Sequence, residues 1–151
     1  MKAFTFTIEG KPCSTNQITR RVGNKSITSR EAREYKARVT ELATYWIKAC
    51  RCSFFETPVK VVLRLFGVRI DIDNCAKVIL DGMQGPVYAN DNLVEELLIV
   101  RFPKDQYGQR IEVLVEERGD YDLPVPLGED GRRVQEVQGI VARALPAEES
   151  R

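Results

Sequence analysis

The sequence predicts an α/β (α+β) domain: one small mixed β-sheet with two main helices, in the order β-α-β-α-β-β, followed by a C-terminal extension. Three observations predict it. Short apolar runs rich in β-branched and aromatic residues alternate with two stretches whose apolar residues recur every three or four positions. Segments containing Gly and Pro separate them. With 151 residues, 43% of them hydrophobic, the chain is long enough to bury one sizeable core.

Each element carries its own signal. Ala3 to Glu9 reads as a strand, ended by Gly10-Lys11-Pro12. Residues 12–27 are polar and basic without periodicity, which predicts a mobile loop. Thr28-Ser29-Arg30-Glu31 matches a capping box and opens a first helix, whose apolar positions are Ala32, Tyr35, Val39, Leu42, Ala43, Trp46, Ile47 and Cys50. Val59 to Phe66 is dense in β-branched residues and reads as a central strand. Asn74 to Met83 reads as a second helix, stopped by Gly82 or Gly85, with Ala76, Ile79, Leu80 and Met83 toward the core. Leu93 to Phe102 and Arg110 to Glu117 flank a turn-forming stretch from Pro103 to Gly108, which predicts a β-hairpin. By periodicity Tyr35, Trp46 and Phe66 belong to the core.

Charge divides the chain. Residues 1–119 carry 19 basic and 15 acidic side chains, net +4, whereas 120–151 carry 4 and 7, net −3. We therefore read 1–119 as the core and 120–151 as an extension. It begins Asp120-Tyr121-Asp122-Leu123-Pro124-Val125-Pro126 and is irregular or a short amphipathic helix through Val134, Val137, Ile140, Val141 and Leu145.

Composition removes whole classes of chemistry. The chain has no histidine, which excludes His-based triads, His general bases and Cys/His zinc sites. Its four cysteines show no CxxC spacing and read as reduced thiols. The alternating N-terminus lacks the apolar core of a signal peptide and no 18-residue apolar run occurs, so a soluble, cytoplasmic protein without membrane association is expected. A formal net charge of +1 confines any nucleic-acid affinity to local patches.

The densest polar constellation is Asp71-Ile72-Asp73-Asn74, just past the end of the predicted central strand. Two aspartates at i and i+2 in extended chain project to one face and offer hard oxygen ligands suited to Mg²⁺ or Mn²⁺. The same residues also suit a helix cap and a solvated turn, and both readings stand. An EF-hand fails, because Ala76 and Gly82 occupy the positions that need Gly and Glu. Asp73, Lys77 and Asp81 share one helical face, and Asp91 lies in the polar turn Asn90-Asp91-Asn92.

The run DIDNCAKVILDGMQGPVYANDNLV, residues 71–94, resembles the D-x-D-N-x-x-K-x-x-x-D…(N/D)-D signature of the RusA family of Holliday-junction resolvases. Pro12-Cys13-Ser14-Thr15-Asn16 is similar to that family's early P-x-x-x-N stretch, and residues 29–35 to its first-helix start. The resemblance covers about residues 3–118. It implies a small homodimeric, Mg²⁺-dependent endonuclease, bacterial or phage-encoded, that nicks four-way DNA junctions symmetrically, with Mn²⁺ as substitute metal and no small-molecule cofactor. Its acidic catalytic and metal-holding residues correspond to Asp71, Asp73 and Asp91, with Lys77 as the essential basic residue. Asn74 and Arg69 fall to DNA contact, and Asn90 and Asp81 to supporting positions. Asn90 stands where a second acid often precedes Asp91, which lowers the site's negative charge by one. Leu93 stands where a polar residue is common.

The chemistry is coherent in itself. Phosphodiester hydrolysis needs an activated water and neutralisation of the phosphorane, and clustered aspartates holding Mg²⁺ supply both without histidine. Three crowded carboxylates repel without a cation, so metal should stabilise the fold. Residues 20–64 hold 11 basic against 4 acidic side chains, and Arg20, Arg21 and Lys25 in the predicted loop are the phosphate contacts proposed from this patch. Two other readings remain: a junction-binding module with a decayed nuclease site, and a small metal nuclease acting on flaps, RNA or other branched substrates.

Overall fold

A computed structural model of the chain describes residues 2–14, 19–72, 74–119, 136–137 and 140–141, with backbone alone for Thr19, Arg20, Lys25, Ser26 and the last two pairs. Two compact units follow one another, Met1–Arg118 and Gly119–Arg151. The first is an α+β domain: β1 (Ala3–Glu9), β2 (Thr19–Val22), β3 (Lys25–Thr28), α1 (Arg30–Ala49), β4 (Val59–Phe66), α2 (Ala76–Met83), a 3₁₀ turn (Asp91–Leu93), β5 (Val94–Phe102) and β6 (Arg110–Glu117). In the second, β7 (Glu136–Val137) pairs antiparallel with β8 (Ile140–Val141). The helical spacing of Val137, Ile140 and Val141 thus belongs to extended backbone. The rest of the expected helix lies outside the described residues.

One mixed sheet organises the first unit, in the order β1-β6-β4-β5. β4 is central, as its β-branched run predicts: it pairs antiparallel with β6, from Val59↔Glu117 to Phe66↔Arg110, and parallel with β5, from Val59↔Val94 to Phe66↔Phe102. The expected hairpin of β5 with β6 is therefore not formed. β4 lies between them, because the apolar strand buried on one whole face satisfies both its edges. The parallel β4–β5 pair needs a crossover, and α2 supplies it.

The loop expected over 12–27 is also different. β2 and β3 form an antiparallel ribbon from Thr19↔Thr28 to Val22↔Lys25, turned at Gly23-Asn24, with Gly23 at φ +61°. A two-residue turn beginning with such a glycine is a tight hairpin turn, and the ribbon's polar sequence hides it from a search for apolar alternation.

Both helices cover one face of the sheet. Phe4, Phe6 and Ile8 of β1, Val59, Val61, Leu63 and Leu65 of β4, and Ile111, Val113 and Val115 of β6 share a core with Ala32, Tyr35, Val39, Ala43 and Ile47 of α1 and Ala76, Ile79 and Met83 of α2. Trp46 departs from the expectation: it is 40% exposed and meets Tyr45 edge-to-face, 5.3 Å between centroids. Phe66 lies on the sheet's other face, stacked on Phe102 at 4.8 Å with the Arg110 guanidinium 3.9 Å from its centroid. Gly82 does not stop α2. A Cβ there would stand 2.7 Å from Val39 Cβ, so the missing side chain is what lets α2 lie against α1, and Thr40 Oγ1 donates to Gly82 O across the contact at 2.8 Å.

Candidate active site

The predicted site residues lie along the crossover from β4 to β5. β4 ends at Phe66, and Gly67 at φ +65° turns the chain into a segment that runs to Asp71. Two side chains clasp that segment: Arg101 of β5 donates to Ile70 O at 2.6 Å, and Gln109 Nε2 donates to Gly67 O at 3.3 Å. Neither residue was singled out from sequence, because each acts through a backbone carbonyl more than 30 positions away.

Asp71 is exposed and closes a turn onto Asn74. Asn74 N–H donates to Asp71 O at 3.0 Å, and Asn74 Nδ2 donates to Asp71 Oδ2 at 3.1 Å. The turn delivers the chain to α2, whose N-cap is Cys75, without any side-chain cap hydrogen bond. The described residues thus place Asp71 in the turn and not on the cap. Asp73 lies outside them.

Lys77 stands on the first turn of α2, largely exposed, with its Nζ 3.3 Å from Asp81 Oδ2. An exposed i, i+4 pair of this kind contributes about 0.3–0.5 kcal/mol, so it orients the ammonium without committing it. Past α2, Gly85 N–H donates to Tyr88 O and Phe55 N–H to Val87 O, anchoring residues 84–88 to the core. Asn90 caps the 3₁₀ turn: its side-chain oxygen accepts the Asn92 N–H at 2.9 Å, and Asp91 is presented, exposed, as the turn's first residue.

Tyr88 is the feature sequence reasoning missed. It is wholly buried, and its hydroxyl donates to Leu80 O at 3.1 Å. Burial, reinforced by the Asp91 and Asp81 carboxylates, pushes its phenol far above the ordinary tyrosine range, so it stays a neutral donor. The signal available was an aromatic residue within an otherwise polar turn.

The acids come off the two ends of the β4–β5 pair, Asp71 after the C-terminal end of β4 and Asp91 before the N-terminal end of β5, and α2 runs back between them. The Asp81 and Asp91 carboxylates both act electrostatically on Tyr88; Asp71 pairs with Asn74. Among the described residues, which leave out Asp73, no three Asp, Glu or Cys side chains stand close enough to hold a metal. The donor chemistry present is all carboxylate and amide oxygen, which fits a hard divalent cation. Of the DNA-contact candidates, Arg21 is exposed on β2, Arg20 and Lys25 occupy β2 and β3, and Arg69 is exposed two residues before Asp71. No described helix is long and apolar enough to cross a membrane.

No curated protein matches the chain. The family model for Endodeoxyribonuclease RusA matches residues 9–116, a span that takes in both helices, the Asp71 turn, the Asp91 turn, β4, β5 and all but the last residue of β6. On that match over most of its length, the chain belongs to the RusA family of junction-resolving endodeoxyribonucleases.

Proposed function

We propose that this chain is a Mg²⁺-dependent endonuclease that resolves four-way junctions by paired symmetric nicks, with Mn²⁺ able to substitute. The observation that carries the reading is the family match, because it encloses every acidic and basic residue of the motif in one segment. Asp71, Asp73 and Asp91 would hold the cation, which when bound would supply charge neutralisation and an activated water. Lys77, presented by Asp81, sets a positive charge toward the scissile phosphate. Asn74 holds the Asp71 carboxylate, and Asn90 holds the turn that presents Asp91. Arg20, Arg21, Lys25 and Arg69 contact phosphates. Residues 1–119 form the catalytic core and 120–151 an appendage.

A C2 homodimer fits a reaction on two strands of like polarity. The edge strand β5 supports it: Leu97 and Leu98 are 40% and 46% exposed on an apolar strand that forms the sheet's border, the kind of edge that a second copy covers. Sedimentation should give a dimer, and a stable 17.2 kDa monomer at micromolar concentration would remove this part. The central test is cleavage of a synthetic four-way junction, with and without Mg²⁺, beside linear duplex. Metal-dependent cutting of the junction alone is expected. Binding without cutting would favour a decayed site, and equal cutting of flaps or RNA a different nuclease. Independently of activity, Mg²⁺ should raise the melting temperature, because it binds only the folded chain.

A further inference from the structure

Beside the segment that carries Asp71 the structure holds a cleft of about 590 Å³, walled by Gly67 to Arg69 after β4 and by Arg101 to Lys104 at the end of β5. Three cations, Arg69, Arg101 and Lys104, line it, and among the described residues no carboxylate does. The next acid in sequence, Asp105, is turned away, with both its oxygens on the Arg110 guanidinium at 2.7 and 2.9 Å. Arg101 braces the wall through Ile70 O. Arg69 and Lys104 are ion-paired to no described residue.

The position of Lys104 is built in. A Cβ at Gly67 would lie 3.0 Å from Lys104 Cβ and 3.2 Å from its Cγ, so only glycine lets the lysine stem rest against the end of β4. The apolar lining is equally fixed, since Phe102 is stacked on Phe66, whose ring also carries Arg110. Three like charges in a concave, partly apolar cleft repel one another, and an anion placed among them removes that repulsion.

We propose that this cleft binds the DNA backbone at two neighbouring phosphates, one on Lys104 and one on Arg69 with Arg101 as the third charge, and so sets the strand's register against Asp71. The proposal rests on the endonuclease reading. Its test is the salt dependence of binding to a synthetic four-way junction in metal-free buffer between 50 and 200 mM salt, for the wild type and for Arg69→Ala/Lys104→Ala. Each lost phosphate contact lowers the slope by about 0.9, so the double variant should lose about 1.8, and a fourfold rise in salt should cost it about 12-fold less affinity than it costs the wild type. Lys104→Arg should restore about half of the lost slope when paired with Arg69→Ala, because charge and not shape is read. An unchanged slope in a folded double variant, while the wild type binds and cuts junctions, overturns the cleft alone. A wild type that neither binds nor cuts junctions overturns the cleft together with the reading beneath it.

Discussion

The two helices are built on opposite principles. α1 has twenty residues and carries its own signals: Ser29 Oγ accepts the Ala32 N–H at 3.2 Å, Glu31 sits in the first turn, Lys48 in the last, and Arg30 pairs with Glu34 at 2.6 Å. α2 has eight residues, no side-chain cap, no acid in its first turn and no base in its last. A helix that short does not persist alone in water. It is held from outside, by the close approach of Gly82 to Val39, by Thr40 on Gly82 O, and by Tyr88 on Leu80 O. The difference separates tasks: α1 covers the sheet on its own signals, while α2 has no independent stability and takes its place from the neighbours that hold it.

That division is open to measurement, beginning where the effect should be largest. On the α2 side, Asp71→Asn and Asp91→Asn should each lower junction cleavage by about 10²–10³-fold, the scale of losing one positioned electrostatic group, with junction binding intact or tighter because a charge repelling phosphate is gone. Binding lost in step with cleavage would make these residues structural and end the comparison. Lys77→Ala should cost about 10² in turnover while the Mg²⁺-induced rise in melting temperature is retained. Gly82→Ala should destabilise the fold by about 1–3 kcal/mol in denaturant titration, despite alanine's better helix propensity, because the new methyl meets Val39. A stabilised Gly82→Ala would mean that the two helices do not need their close approach.

On the α1 side the effects should be confined to stability. Ser29→Ala should cost about 1 kcal/mol, read as a lower denaturation midpoint, with cleavage at saturating junction unchanged. The smallest effect belongs to neither helix. The Arg110 guanidinium holds Asp105 below the usual carboxylate range, so this pair's stabilisation is full above the ordinary aspartate pKa and is lost as pH falls through the depressed one. Asp105→Asn should therefore flatten the acid limb of the stability–pH curve slightly, and an unaltered limb would show that the pair contributes nothing.

Local signals carried much of the architecture. The β-branched run at 59–66, the Ser29 start and the three-and-four spacing of Ala32, Tyr35, Val39, Ala43 and Ile47 all answer to interactions within one segment, and the structure has them as read. The capping box itself is not formed: Ser29, not Thr28, is the N-cap whose oxygen accepts the Ala32 N–H, and with Ala32 at the third helical position no acid there reaches back to the cap. The motif that marks the family was equally legible, because its residue types and spacing are matters of local sequence.

What the sequence by itself determined, then, is the strands and helices of the core that carry apolar periodicity, and the motif that marks the family. Tertiary structure alone decided their partners. Two strands joined by a short connection pair with each other unless a more apolar strand competes for their edges, and β4 does so here, separating β5 from β6. The same holds for single residues: Gly82 reads as a stop until Val39 stands against it, Trp46 reads as core until the helix face is set on the sheet, Arg101 is placed by the Ile70 carbonyl 31 positions away, and Lys104 by its close approach to Gly67. Propensity and periodicity record interactions across a few residues. Edge competition and close approach are settled between segments dozens of residues apart, which no local pattern encodes.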